Sequence, residues 1–254
     1  MKDLFSVKDK IVLITGSSRG LGASLATGFA EHGATVIING INSANVEQRV
    51  KTIRELGGRA EGYVFDVTDP AQVQQSIAKI ESEIGPIEVL VNNAGIQRRA
   101  PLTELSLEDW NAVIQMNLSA VFIISQCVAK RMIRRSSGKI INITSLMAEG
   151  ARVATGNYCA AKGGLKMLTK AMATEWGANN IQVNAIGPGY FITDLTKRLA
   201  DDPKFDAWVK QEVPLQRWGD PSELVGAAIF LASKASDYVN GQTIYVDGGW
   251  LASL

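Results

Sequence analysis

The feature that most constrains the fold of this chain is an alternation, nearly from end to end, of short apolar runs with longer amphipathic segments. Most of the runs are apolar throughout, which is typical of strands covered by helices on both faces. They are Ile11–Thr15, Thr35–Asn39, Gly62–Asp66, Val89–Asn92, Lys139–Thr144, Gln182–Ile186 and Thr243–Val246. The helix-length segments between them are Leu21–Glu31, Ala44–Leu56, Ala71–Ile84, Leu107–Arg134 and Tyr158–Gly177. Helices that cross between parallel strands predict a doubly wound α/β sheet.

The organisation of the chain favours one domain. Its 254 residues contain no linker, repeat or low-complexity segment, so we expect a single domain over residues 1–254. The longest irregular stretch runs from Gly187 to about Asp220, and Thr193–Val209 within it predicts one or two short helices. An insertion after a parallel strand lies at the edge where such sheets bind ligands. We therefore expect residues at about 190–215 to form a substrate lid, with a flap that only packs as the alternative.

Charge and rare side chains exclude several classes of function. The chain has 26 Lys and Arg against 25 Asp and Glu, which argues against a nucleic acid or membrane partner. It has one histidine, His32, at the expected end of the first helix, and two cysteines without metal-ligand spacing. We therefore expect no metal site and no histidine-dependent hydrolase. The first residues lack a signal-peptide pattern, and no apolar run approaches the roughly twenty residues of a membrane span, so a cytoplasmic location is expected.

A glycine-rich turn, Thr15–Gly22, follows the first strand and leads directly into a helix. Gly16, Gly20 and Gly22 have the spacing Gly-x-x-x-Gly-x-Gly. Backbone N–H groups at a helix N-terminus bind a pyrophosphate, and glycine is needed where a Cβ would block that approach or where φ is positive. Its place between strand and helix predicts a dinucleotide-binding site.

The end of the second strand predicts which dinucleotide is used. An acidic side chain there binds the ribose 2′-hydroxyl, whereas a 2′-phosphate requires a cation and no carboxylate. The sequence has Asn39 there and no Asp or Glu until Glu47, and Arg19 in the glycine turn is the available cation. NADP(H) is therefore the predicted cofactor. Because Asn39 can hydrogen-bond a hydroxyl, NAD(H) stays an alternative.

A tyrosine and a lysine four residues apart, Tyr158 and Lys162, open the amphipathic segment after the fifth strand. Residues at i and i+4 share a helix face, and an ammonium group beside a phenol is expected to lower the pKa of the tyrosine. Tyr158 could then exchange a proton with an alcohol or carbonyl oxygen, which Ser145 at the end of the fifth strand could hydrogen-bond. The alternative for the pair alone is an ordinary amphipathic helix face.

Jointly, these motifs resemble the short-chain dehydrogenase/reductase family over essentially the whole chain. The matching residues are Thr15–Gly22, Asp66 and Val67, Asn92–Gly95, Asn117, Ser145, Tyr158, Lys162, Pro188 and Gly189, Thr193, and Val246–Gly249. The resemblance implies a Rossmann-type, seven-stranded parallel sheet with helices on both faces, a nicotinamide cofactor and a homotetramer.

The resemblance also implies roles for individual residues. Tyr158 would be the acid/base, Ser145 would orient the substrate oxygen, and Lys162 would also bind the nicotinamide ribose. Asn117 would hold a proton-relay water. The expected cofactor-binding residues are Gly16, Ser18, Arg19, Gly20, Leu21, Gly22, Asn39, Asp66, Val67, Asn93, Ala94, Gly95, Tyr158, Lys162, Pro188, Gly189, Ile192 and Thr193. Asp66 could equally be a strand-end turn residue.

Within the family, Asn92–Pro101, Gln216–Pro221 and Ser236–Trp250 resemble the sugar-acid oxidoreductases, and the expected reaction interconverts D-gluconate and 5-keto-D-gluconate. Deoxy-ketogluconate dehydrogenases share the last stretch, and 3-oxoacyl carrier-protein reductases share the core motifs. A catalytically silent dinucleotide-binding regulator is the alternative outside the enzymes.

Arginines after the fourth strand are the candidate ligands of the substrate carboxylate. Arg98 and Arg99 stand on the side where a substrate would lie, and an arginine fork matches a carboxylate. With Ser145 and Tyr158 they form the expected substrate contacts. The alternative is that they cap a helix or pair with a nearby glutamate, Glu104 or Glu108. Weaker candidates around the cleft are Arg152, Lys197, Glu149 and Trp218, the last more readily a loop anchor than a stacking platform.

Overall fold

The structure is a computed structural model that describes residues 3–193 and 196–253, so residues 194 and 195 of the predicted lid lie outside the described residues. Seven parallel strands form one sheet in the order β3-β2-β1-β4-β5-β6-β7. They are β1 (Ile11–Ile14), β2 (Thr35–Gly40), β3 (Arg59–Val64), β4 (Val89–Asn92), β5 (Gly138–Ile143), β6 (Ile181–Pro188) and β7 (Thr243–Val246). The predicted seven-stranded doubly wound sheet is confirmed.

Helices cover both faces of this sheet. They are α1 (Gly20–Glu31), α2 (Ser43–Glu55), α3 (Pro70–Glu83), α4 (Leu107–Ile114), α5 (Ala120–Arg135), α6 (Gly156–Trp176), α7 (Lys197–Ala200), α8 (Pro203–Glu212) and α9 (Val225–Ala232). Several of these helices are capped at the N-terminus by a short polar side chain. Asn42, Asp69 and Ser106 each accept a hydrogen bond from a backbone N–H of the first turn that follows.

The core lies on both faces of the sheet, which explains why the central strands are apolar throughout. Val12 and Ile14 pack in one cluster with residues of α1 such as Phe29. Leu13, between them, packs in the opposite cluster with residues of α5 such as Ile124. Successive side chains of a strand point to opposite faces, so each strand needs apolar residues at every position.

Strand β3 departs from the prediction. The apolar run predicted Gly62–Asp66, whereas the strand covers Arg59–Val64 and pairs with Thr35–Gly40. As an edge strand it has one buried residue, Ala60, and the others are exposed or half-buried, so a search for continuous apolar runs misses its polar first half. It ends before Asp66, whose carboxylate accepts hydrogen bonds from the backbone N–H and hydroxyl of Thr68.

The helix predicted over Leu107–Arg134 is interrupted. A π-helical turn, Gln115–Ser119, separates α4 from α5 without any proline or glycine. At its centre the amide of Asn117 accepts from the Ile96 N–H and donates to the Ile96 carbonyl, both at 2.8 Å. The π-helical turn thus coincides with a pair of hydrogen bonds to a neighbouring segment. The periodicity of the sequence does not reveal such a turn.

The same helical stretch corrects one composition-based expectation. By length and composition, Leu107–Arg135 could cross a membrane, so the expectation that no segment reaches that length is wrong. Its most apolar window is 44% buried within the fold, and the core helix of a globular protein passes the same test.

The strand order reverses beside β1, whose neighbours are β2 and β4. The connections after these strands leave the sheet in opposite directions, which opens a crevice at their carboxyl ends. The glycine turn, Asn93–Gly95, Ser145 and Pro188 each lie at or directly after the carboxyl end of a strand, and Tyr158 and Lys162 lie near the start of α6.

Candidate functional site

A cavity of about 480 Å³ occupies this crevice and is lined by segments that follow six of the strands. Most of the predicted residues line it, namely Gly16, Ser18, Arg19, Gly20, Leu21, Asn39, Asp66, Val67, Asn93, Ala94, Gly95, Ser145, Tyr158, Lys162, Pro188, Gly189 and Thr193. Five predicted residues are not part of its wall, namely Gly22, Arg98, Arg99, Asn117 and Ile192. Apolar wall residues that carry no motif were missed, namely Ile41, Phe65, Ile96, Met116, Ile143 and Phe191.

The glycine turn is packed too closely for a side chain at two of its three glycines, Gly16 and Gly22. Gly16 has φ of 61°, and a Cβ there would lie 2.9 Å from the Ala94 Cα. A Cβ on Gly22 would lie 2.4 Å from Asn93 Nδ2, which itself donates to the carbonyls of Thr15 and Gly16 at 2.9 and 3.0 Å. Gly22 does not line the cavity itself. Because it lacks a Cβ, it leaves room for the Asn93 amide that holds the turn in place. A cradle with this spacing at the start of α1 fits a pyrophosphate.

Asn39 lies in the cavity wall but its amide faces the protein. Its Oδ1 accepts from the Gly16 N–H at 3.2 Å, and its Nδ2 donates to the carbonyls of Phe65 at 3.0 Å and Tyr63 at 3.4 Å. Both amide N–H groups are thus used within the protein. Asn39 braces the glycine turn, and the predicted hydrogen bond from its amide N–H groups to a ribose hydroxyl is not supported.

Three arginines near the cavity have no acidic partner within the described part of the chain. Among the residues that the structure describes there are twelve ion pairs, and none involves Arg19, Arg99 or Arg152. Arg19 precedes α1 and lines the cavity beside Ser18. A cation in this position, with no carboxylate at the end of β2, fits a 2′-phosphate.

Ser145, Tyr158 and Lys162 come together at the cavity wall. Ser145 follows β5, and its Oγ accepts from the Met147 N–H at 3.1 Å. Tyr158 and Lys162 lie in the first two turns of α6, with the Lys162 Nζ 5.6 Å from the centre of the Tyr158 ring. Lys162 is 4% exposed, and its ammonium donates to the Ile143 carbonyl at 2.7 Å, which fixes it against β5.

The electrostatics of this group correct one prediction. Burial raises the pKa of Tyr158, while a hydrogen bond with Ser145 and the charge of Arg99 oppose the rise. Burial also lowers the pKa of Lys162, to about 8. The expected lowering of the tyrosine pKa by Lys162 is therefore not found, because burial dominates both groups. A phenol that keeps its proton at neutral pH is suited to donate it to an oxygen that gains negative charge.

Three other predicted residues make hydrogen bonds within the protein. The side chain of Asn117 bonds to Ile96 and so holds a segment that lines the cavity, while its role in holding a proton-relay water stays a prediction. Asp66 bonds to Thr68, which matches its alternative as a turn residue. Ile192 is half exposed, and its N–H donates to the Gly219 carbonyl at 3.1 Å.

The two adjacent arginines have different surroundings. Arg98 Nη1 pairs with Asp109 Oδ1 at 2.6 Å on the half-exposed side of the loop, so the structure does not bring Arg98 to the site. An acidic partner was anticipated, although as Glu104 or Glu108. The charge of Arg99, by contrast, is close enough to act on Tyr158 and on Arg152.

The insertion after β6 packs against the site through an aromatic cluster. Trp218 is buried, and its indole N–H donates to Asp206 Oδ1 at 2.9 Å, so it anchors the loop. Tyr190 meets the rings of Phe205, Trp208 and Trp218 edge to face, with centres 6.0, 5.7 and 5.8 Å away.

The two charged residues that were weaker candidates, Lys197 and Glu149, each bond to another side chain of the protein. Lys197 pairs with Asp201 at 3.0 Å. Glu149 bonds to Lys166 and Tyr245.

Comparison with known proteins points to one group of enzymes. A family model described as enoyl-(acyl carrier protein) reductase matches residues 16–251. The chain is 49% identical over 254 residues to 5-keto-D-gluconate 5-reductase of Escherichia coli (strain K12), covering 100% of both chains. It is also 49% identical over 254 residues to 2-dehydro-3-deoxy-D-gluconate 5-dehydrogenase of Formosa agariphila, covering 99% of this chain and 96% of that protein.

A solved structure gives the same result for the fold. It is described as a gluconate 5-dehydrogenase from Burkholderia cenocepacia J2315 in complex with NADP and tartrate. It is 48% identical, covers 99% of this chain and 99% of its own, and superimposes with a TM-score of 0.97.

Proposed function

The chain belongs to the short-chain dehydrogenase/reductase family, whose members are oxidoreductases that act on CH–OH groups, and we propose on this premise that it interconverts D-gluconate and 5-keto-D-gluconate. In the balanced reaction, 5-keto-D-gluconate, NADPH and a proton give D-gluconate and NADP⁺. The observation that carries the proposal is the convergence of Ser145, Tyr158 and Lys162 on one wall of the cavity that the glycine turn also lines.

We propose the following roles for the chain's own residues. In reduction, Tyr158 donates its phenolic proton to the carbonyl oxygen, and Ser145 hydrogen-bonds that oxygen and orients it. Lys162, held against the Ile143 carbonyl, supports the phenol from the next turn of the helix. A bound nicotinamide supplies the hydride chemistry. Asn117 and Asn93 position the segments that line the cavity.

Three observations support NADP(H) as the preferred cofactor. Arg19 lines the cavity and has no acidic partner among the described residues, and no carboxylate stands at the end of β2. The amide N–H groups of Asn39, which would favour the ribose hydroxyl of NAD, are used within the protein. A close structural relative is described in complex with NADP. Gly16, Gly20 and the N–H groups at the start of α1 would hold the pyrophosphate.

The sugar acid is proposed from the relatives together with the arginines. Arg99 can contribute to binding a carboxylate, whereas Arg98 is held by Asp109. A second candidate reaction is the 5-dehydrogenation of 2-dehydro-3-deoxy-D-gluconate, since a relative with that name is equally identical. An acyl-carrier thioester is less favoured despite the family model's description, because near-full-length relatives act on sugar acids. A silent regulator would have no use for the complete Ser145, Tyr158 and Lys162 set.

We further propose that residues at about 190–215 form the substrate lid on a single domain, that the enzyme is a homotetramer and that it works in the cytoplasm. The first of these is supported by α8, whose aromatic residues pack beside Tyr158 in one cluster.

The proposal is tested by following NADPH oxidation at 340 nm with 5-keto-D-gluconate, 2-keto-D-gluconate and an acetoacetyl thioester, each repeated with NADH. The oxidation of 2-dehydro-3-deoxy-D-gluconate is followed in parallel with NADP⁺. We expect selective turnover of 5-keto-D-gluconate with NADPH. Selective turnover of the deoxy acid would establish the second candidate, and turnover of the thioester alone would refute both.

A further inference from the structure

Arg152 occupies an unusual setting on the loop between β5 and α6. The centre of its guanidinium lies 4.5 Å from the ring centre of Phe205, 4.9 Å from that of Trp208 and 5.9 Å from that of Tyr190. Its Nη1 also donates to the Tyr190 hydroxyl at 3.2 Å. We call these three aromatic residues the Arg152 box. Phe205 and Trp208 belong to α8, and Tyr190 follows β6, so the insertion supplies all three rings that receive this cation.

The loop that presents Arg152 is itself fastened. The Thr155 hydroxyl donates to the Arg152 carbonyl at 2.7 Å and accepts from the Arg152 N–H at 3.3 Å. Ala154, between them, has φ of 62°, a left-handed conformation that a residue with a Cβ rarely adopts. A turn held in this conformation beside Tyr158 gives Arg152 a defined position rather than that of a free surface arginine.

The charges around this arginine are unbalanced. Arg99 and Arg152 repel each other, as the lowered pKa of Arg99 reflects after its larger cause, burial. Neither takes part in an ion pair among residues 3–193 and 196–253. The charge of Arg99 also acts on Tyr158. The geometry agrees for Arg152, because Tyr158 packs in one cluster with the three rings around its guanidinium. Two cations that act on each other, with no ion-pair partner among the described residues, form a setting that an anion would stabilise.

We infer that Arg152 and Arg99 together bind the substrate carboxylate, with Arg152 as the specificity-determining residue, and that the Arg152 box links this contact to the insertion. The inference deepens the proposed function and rests on it for the identity of the substrate. Guanidinium stacking on ring faces leaves the in-plane N–H groups available, and among the described residues one of them donates, to the Tyr190 hydroxyl. The free edge can bind a carboxylate bidentately.

The steady-state test compares Arg152→Gln and Arg152→Lys with wild type. For Arg152→Gln we expect the KM for 5-keto-D-gluconate to rise about 10- to 100-fold, with kcat and the KM for NADPH changed less than about threefold. Arg152→Lys keeps the positive charge but loses the bidentate N–H groups, so its KM for 5-keto-D-gluconate should lie between those of wild type and Arg152→Gln. The matched control is Lys210→Gln, which removes an exposed cation from α8 and should keep the wild-type KM.

A binding measurement distinguishes this inference from the proposed function. Tartrate, a hydroxy acid without a ketone, is titrated against the NADP⁺ complex while tryptophan fluorescence is followed. We expect binding in wild type and Lys210→Gln, and at least tenfold weaker binding in Arg152→Gln. If wild type binds tartrate through Arg152 but reduces no sugar acid, the proposed function fails and the carboxylate site stands. If Arg152→Gln changes neither the keto-acid KM nor tartrate affinity, the carboxylate site is refuted.

The link to the insertion is tested by a double-mutant cycle with Trp208→Leu. If Trp208 acts by holding the guanidinium, its loss should raise the keto-acid KM in wild type but have little further effect in Arg152→Gln. Additive effects of the two substitutions on KM would refute the link. A fall in thermal stability without a change in KM would show that the box only packs.

Discussion

The two halves of the cavity are built in different ways. The cofactor half consists of backbone, namely the glycine turn and the strand ends that carry Asn93 and Pro188, and it stands on the buried sheet. The substrate half, as we propose it, extends beyond the cavity wall to long side chains of the loop after β4, the loop after β5 and the insertion after β6. In the cofactor half, binding depends on glycines that lack a Cβ. In the substrate half, the proposed binding depends on the positions of two guanidinium groups.

The difference teaches where specificity can change in this fold. Replacing Gly16 or Gly22 forces the cradle to shift, because a Cβ at either position would overlap neighbouring atoms. Replacing an arginine or an aromatic residue of the substrate half leaves the cradle intact and changes only what is bound beside it. Tyr158 lies where the halves meet, since it lines the cavity and packs in the cluster of the insertion.

The largest effect is expected at this junction. Tyr158→Phe removes the proposed proton donor while keeping the ring, so turnover should fall by about 10²- to 10⁴-fold with NADPH affinity nearly unchanged. NADPH affinity is measured by fluorescence titration and turnover by steady-state kinetics. Tyr238→Phe is the matched control, because Tyr238 is fully exposed. Near-normal turnover of Tyr158→Phe would remove this residue from the chemistry.

The next effect concerns Lys162, which the cofactor half buries. Its pKa of about 8 in the folded protein lies below the ordinary 10.5, so the unfolded chain binds more protons between these pH values. Stability contributed at this position therefore rises with pH across that window. Relative to Lys162→Met, wild type should gain roughly 3 kcal/mol between pH 7.5 and 10.5. Urea unfolding at several pH values measures it.

Exposed Lys51→Met serves as the control for that experiment and should track wild type across the same range. A constant difference between wild type and Lys162→Met would mean that the ammonium of Lys162 is solvated in the folded protein, contrary to its burial.

A smaller effect distinguishes the backbone character of the cofactor half. Gly22→Ala places a Cβ 2.4 Å from Asn93 Nδ2 and 2.6 Å from the Gly16 carbonyl oxygen, so the turn must shift. We expect a loss of about 1–3 kcal/mol in stability and at least a tenfold rise in the KM for NADPH. Gly226→Ala, where α9 leaves open space, is the control and should be neutral or slightly stabilising. Equal behaviour of the two variants would contradict the close packing of the cradle.

The contrast also explains what the sequence predicted well. Apolar runs and glycines report backbone requirements directly, so the parallel sheet and the position of the glycine turn follow from them, and the sheet is confirmed. Ser145, Tyr158 and Lys162 were predicted together because a strand end and a helix start are short-range features. Edge strand β3 was misplaced, since its polar residues face solvent and interrupt the apolar pattern.

What could not be predicted depends on contacts between distant segments. The sequence around Arg98 and Arg99 does not indicate that Asp109 forms an ion pair with Arg98 rather than with Arg99. The direction of the Tyr158 pKa shift likewise depends on the loss of water around the phenol at the cavity wall, which outweighs the neighbouring charges. The Arg152 box requires three segments to meet, and Arg152 was only a weak candidate in the sequence.

The smallest expected effect sharpens the comparison, because Arg19 is a charged side chain that serves the cofactor half. Arg19→Gln should raise the KM for NADPH about tenfold and leave that for NADH within about twofold, since only NADPH carries the 2′-phosphate. The NADPH effect should shrink as salt is added, because an ion pair at the cavity mouth is screened. Arg54→Gln, which removes an arginine paired with Glu61 on the surface, is the control. If both cofactors weaken equally, Arg19 acts on the shared pyrophosphate, and the cofactor half recognises NADP through its backbone and the absent acid alone.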